Sequence, residues 1–172
     1  MSFDDALINC AMPTLCGIKP SSLFSMKYGE DFFAGNRTRQ LNDQLNPYQK
    51  KIEVIHKCKK NVLYFVYDLE VFSNLCLDPK CSDYLLLKGY PVKEGPMAIR
   101  KELYKRLVSY REDRTEKTFP HEVGLFLGYP LCDVIHFEKN DGQFFSYSGY
   151  WKVYENVETA QFSKQQHKSP PP

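Results

Sequence analysis

No run of apolar residues in this chain approaches the roughly 20 needed to cross a bilayer as a helix, so nothing in it reads as a membrane span. It also lacks the C-x-x-C spacing that gathers thiolates around one tetrahedral ion, a glycine-rich phosphate loop and a nucleophile elbow. Those absences lower the standing of zinc, nucleotide and hydrolase chemistry. Neither sign of charge dominates: 23 Lys and Arg against 21 Asp and Glu leave a net charge of +2 with the two signs interleaved. No broad field therefore draws nucleic acid or anionic lipid. Six cysteines (Cys10, Cys16, Cys58, Cys76, Cys81 and Cys132) are a thin framework for 172 residues, and a reducing interior would keep them as thiols. The start Met1-Ser2-Phe3-Asp4-Asp5 has no basic n-region of a signal peptide, and a cytoplasmic location is expected.

What the chain has in quantity is aromatic residues, 12 Phe and 12 Tyr within a 42% hydrophobic composition, enough to fill one substantial core. We expect a single globular domain over residues 1–167. The tail 168–172, Lys-Ser-Pro-Pro-Pro, has nothing apolar to bury and is expected to be disordered.

Periodicity sketches the elements. Ser2 with Asp5 outlines a capping box, and Phe3, Leu7, Cys10 and Ala11 recur at helical spacing until Pro13, where the helix should stop. Cys10 falls on its apolar side. Ser22 to Tyr28 alternates as a strand, and the polar stretch 29–46 reads as loop with one helix near Leu41 to Leu45. Lys51 to Cys58 alternates, with Cys58 on the inward side, and Val62 to Tyr67 is apolar throughout, so the two predict a hairpin whose second strand is covered on both faces. Asp68 can cap a helix to Leu77, Pro79 can open another, and Gly89 can close it. Ile99, Leu103, Leu107 and Tyr110 stripe a longer helix, with Arg100, Lys101, Lys105, Arg106, Arg111 and Arg114 assigned to its solvated side. Phe144 to Tyr154 reads as an aromatic strand region, and Val157 to about Gln166 as a last helix. Grouped helices and hairpin strands argue for α+β: a small, mainly antiparallel sheet of about three or four strands with about five to seven helices.

The most informative run is Phe119-Pro120-His121-Glu122-Val123-Gly124-Leu125-Phe126-Leu127-Gly128-Tyr129-Pro130-Leu131-Cys132-Asp133-Val134-Ile135. Pro120 suits a first helical position, Glu122 its first turn, Gly128 a left-handed stop and Pro130 a new start, so the run reads as a compact helix-turn-helix. With Gly149-Tyr150-Trp151-Lys152-Val153-Tyr154 and Pro13-Thr14-Leu15, this run resembles a bacterial domain family of unknown function, found mainly in anaerobic Gram-positive organisms. The resemblance runs from about Cys10 to Phe162. It implies a fold and candidate positions but no reaction. Family members more often carry a small residue where Cys16 stands, and many end in a cysteine that this tail does not have.

Candidate chemistry is sparse. His121 and Glu122, side by side at a helix start, and Cys16, in a loop before Gly17, are the catalytic candidates. Cys10, Cys16 and His121 are the metal candidates, although a zinc-protease helix would need a second histidine where Leu125 stands. Tyr150 and Trp151 could stack on a planar ligand. A reading helix needs Arg, Lys, Asn or Gln at base edges, whereas residues 131–138 offer Cys132, Asp133, His136 and Glu138, which argues against nucleic acid. The residues name no cofactor. The reading that remains is a non-catalytic module binding a protein or small molecule, with a thiol- and histidine-dependent or metal-linked protein, and then a helix-turn-helix DNA regulator, as alternatives.

Overall fold

The computed structural model describes residues 2–27, 34–59, 61–112, 119–140, 147–148 and 152–153. The chain forms two compact units, Met1–Pro120 and His121–Pro172. Among the described residues it has seven α-helices and a three-stranded antiparallel sheet, an α+β fold as the order of elements predicts.

The first unit opens with α1 (Phe3–Leu15), followed by β1 (Ser21–Lys27), α2 (Ala34–Leu45), β2 (Lys50–Lys57), β3 (Asn61–Asp68), α3 (Leu69–Leu77), α4 (Pro79–Leu87) and α5 (Pro96–Glu112). The capping box is complete: Ser2 Oγ accepts from the Asp5 N–H and the Asp5 carboxylate accepts from the Ser2 N–H, each at 3.1 Å. Helix α1 nevertheless runs through Pro13 instead of stopping before it. A proline in the last turn costs a single hydrogen bond, and its own carbonyl accepts from the N–H groups of Ile18 and Lys19. Cys10 is exposed, not on the packed side, because by that turn the contact face passes through Ala11 and Thr14.

The sheet order is β1-β3-β2, so β3 is central and its residues from Val62 to Asp68 are all buried. Alternation sends Val62, Tyr64 and Val66 to one face, where Tyr64 meets the ring of Phe3 at 5.1 Å and stacks on Phe24 at 5.3 Å. Leu63, Phe65 and Tyr67 take the other face. There the Phe65 ring meets Tyr104 of α5 edge-on at 5.3 Å and Phe72 of α3 at 6.4 Å. Both faces of the strand are thus covered, as its unbroken apolar run implies.

Two local readings need correction. Helix α2 begins at Ala34, well before Leu41, because tertiary contacts stabilise a polar segment: Arg37 pairs in bidentate fashion with Asp4, and Leu41 and Leu45 pack against the core. In β2 a bulge lies between Val54, opposite Tyr64, and His56, opposite Leu63. The extra residue breaks the simple alternation, and Cys58 falls beyond the strand, exposed, with its Sγ 3.3 Å from both the N and O of Asn61.

Helix ends follow the local chemistry. Asp68 Oδ1 accepts from the Val71 N–H at 3.0 Å and Asp78 Oδ1 from the Cys81 N–H at 3.0 Å. Gly89, at φ +77°, closes α4, and the Tyr90 N–H reaches back to the Leu85 carbonyl at 2.9 Å, the long bond of a Schellman motif.

In the second unit, α6 (Val123–Phe126) is one turn long and α7 (Leu131–Asn140) follows after Gly128, at φ +86°. The Tyr129 N–H bonds the Gly124 carbonyl at 3.1 Å, repeating the closure at Gly89, so the shared Gly-Tyr-Pro runs reflect two helix ends of one kind. Helix α6 starts at Val123, after Pro120 and Glu122 and not at them, while Pro130 directly precedes α7 as its pattern predicts. Two short antiparallel strands, β4 (Tyr147–Ser148) and β5 (Lys152–Val153), fall within the aromatic region. The last helix and the tail lie outside the described residues.

Candidate functional site

Glu53 lies on β2 opposite Phe65, on the face of the sheet that meets α5 and away from the side that buries Ile52. Its carboxylate gathers a polar cluster of two tyrosines, an arginine and a lysine. Tyr104 O–H donates to Glu53 Oε2 at 2.6 Å and Tyr67 O–H to Oε1 at 3.4 Å. The Arg100 guanidinium stands 3.3 Å from Oε2 and donates from Nη1 to the Tyr67 hydroxyl, while Lys51 Nζ approaches Oε1 at 3.2 Å from the solvent side. Arg100 also lies over the ring of Tyr67, 4.5 Å from its centroid.

The helix explains this placement. Ile99, Leu103 and Leu107 point into the core, and Arg100 and Tyr104, one turn apart, form the neighbouring row that faces β2 and β3. Arg100 is therefore buried, at 7% exposure, and not on the solvated side with the other basic residues. Glu53 supplies the counter-charge and the Tyr67 hydroxyl accepts from Nη1, while Nε finds no partner among the described residues. Arg106, likewise drawn inward, stacks 4.1 Å from the centroid of the buried Tyr90 ring and donates from Nη2 to the Lys88 carbonyl at the end of α4.

Burial pushes the Tyr104 hydroxyl well above its ordinary range, and the adjacent Glu53 carboxylate adds to that shift, with Arg100 opposing it. Tyr104 is accordingly a fixed donor and not a base. Burial also pushes the Cys76 and Cys81 thiols up to about 12, so both remain protonated, small and apolar. The cluster has the chemistry of a charged cross-link between α5 and the sheet.

The sequence candidates sit elsewhere. Cys16 is exposed in the turn after α1, where its N–H donates to the Met12 carbonyl at 2.8 Å and the Gly17 N–H donates to the Thr14 carbonyl at 3.0 Å. The neighbouring Gly17 has φ +73°, and a Cβ there would stand 3.6 Å from Asp68 Oδ2. Cys10 is exposed on α1, and partial desolvation pushes its thiol up. In the second unit, the half-buried His121 ring packs 5.0 Å from that of Phe137, and Glu122 is buried at the N-cap of α6, its side chain making no cap hydrogen bond. Tyr150 and Trp151 lie outside the described residues. Among the described residues no three His, Cys, Asp or Glu side chains come together closely enough to hold a metal ion, and no helix is long and apolar enough to cross a membrane. Sequence reasoning missed the Glu53–Arg100 cluster altogether. Its one trace in the sequence is spacing: Arg100 and Tyr104 lie one turn apart, in the row beside the apolar stripe of α5.

A family model described as Protein of unknown function (DUF3793) matches residues 7–170. No curated protein and no solved structure matches the chain.

Proposed function

The chain belongs to the DUF3793 family of unknown function, and we propose that it works as a non-catalytic, protein-binding module and not as an enzyme. The observation that carries this reading is the outer side of α1, where Ile8 and Met12, one turn apart, are 57% and 42% exposed. Two adjacent aliphatic side chains on a convex helix suit the flat apolar core of a protein interface, whereas a small ligand needs a concave site. The polar chemistry points the same way. The cluster that could have supplied an acid or base is closed on itself, with the Glu53 carboxylate held by two hydroxyls and two cations.

A DNA-reading role for the second unit has less support: in α7 only Lys139 is exposed, a poor complement to base edges and phosphates.

The test compares affinity purification of the natural chain with that of Ile8→Lys/Met12→Lys from cells of the producing organism. The module reading expects one stoichiometric protein held by the natural chain and lost by the folded double variant. A turnover found in a broad substrate screen and abolished by His121→Ala, Glu122→Ala or Cys16→Ser would overturn it.

A further inference from the structure

Strand β2 is an edge of the sheet, and the outward N–H and C=O groups of an edge are a template for another strand. At Ile52 both groups are occupied. The Ile52 N–H donates to Asn42 Oδ1 at 2.8 Å, and Asn42 Nδ2 donates to the Ile52 carbonyl at 2.8 Å. A carboxamide offers one acceptor and a donor much as a peptide group does, so Asn42 reproduces the two bonds that an antiparallel neighbour exchanges with a single residue.

We propose that Asn42 is a built-in strand mimic that closes the β2 edge against β2 of a second copy of this chain. The second copy is the fitting occupant because β2 is complementary to itself. Antiparallel pairing centred on Ile52 opposite Ile52 sets Lys51 of each copy across from Glu53 of the other, two opposite-charge pairs related by a two-fold axis. The bulge between Val54 and His56 guards the rest of the same edge by twisting it away from a straight partner.

The test is light scattering on Asn42→Ala over a concentration series. The proposal expects a concentration-dependent doubling of mass that the natural chain does not show. It also expects Val54→Lys, added to Asn42→Ala, to abolish the doubling, because in this register residue 54 faces Lys50 of the other copy. An Asn42→Ala chain that folds and keeps the natural mass overturns the proposal, as does a doubling that survives Val54→Lys. Should Asn42→Ala fail to fold, hydrogen exchange on the natural chain decides. An Ile52 amide protected like those of β3 supports the plug, and one that exchanges like an open edge amide refutes it.

Discussion

Arg100 is buried with Glu53 standing against it as counter-charge, and the two residues hold or fail together. Replacing Glu53 with Ala leaves a buried guanidinium without its counter-charge, and we expect a loss of about 3 kcal/mol, read as a fall in the denaturant midpoint with little change in slope. Lys51→Ala, which removes an exposed partner of the same carboxylate, should cost under about 1 kcal/mol. Tyr104 makes the cluster sensitive to alkali. Its hydroxyl ionises at a higher pH in the folded chain than in the unfolded one, so the difference is absent below the unfolded value of about 10, and stability falls as pH rises above it. The Cys76 and Cys81 thiols act in the same direction from about pH 8.5 upward. Tyr104→Phe should therefore be less sensitive to pH than the natural chain between about pH 10 and 11, while losing the hydrogen bond to Glu53 at every pH. Chemical denaturation across that range measures both effects. None of this was legible from residue types alone, because helical spacing shows which row of α5 is apolar but not that the row beside it also lies against the sheet.

At the scale of elements the caps were the most readable feature, since they depend on residues a few positions apart. Ser2 with Asp5, Asp68, and the glycines at 89 and 128 all stand where their local chemistry puts them. Gly89→Ala forces a side chain into the left-handed region, and we expect about 1 kcal/mol of destabilisation by thermal unfolding. Elements that depend on distant partners were harder to read. Helix α2 is polar and draws its stability from Asp4, 33 residues before Arg37, and from leucines seated on the sheet. The β2 bulge has no signature in the alternation of Ile52, Val54 and His56, and without it Cys58 would keep its inward place. Arg37→Ala removes a half-exposed bidentate pair and should change global stability little, its effect seen as faster amide exchange in the first turns of α2.

For the whole molecule, the unbroken apolar run of β3 was the deciding signal. A central strand buried on both faces requires helices on each side, and with a hairpin partner it leaves little but α+β. Function was less legible, because spacing singled out Cys16, His121 and Glu122 one by one and carries no complete catalytic motif, whereas the polar cluster around Glu53 serves cohesion. On the surface of the first unit, Ile8 and Met12 set two aliphatic side chains one turn apart on the outer side of α1, the patch on which the protein-binding reading rests. The most direct measurement is therefore site-specific photo-crosslinking in living cells, with the crosslinker at Met12 and, as control, at the exposed Lys101 of α5. A protein-binding module predicts one discrete crosslinked partner from position 12 and none from position 101. An absence of adducts at position 12 in a stable, well-expressed chain would contradict it.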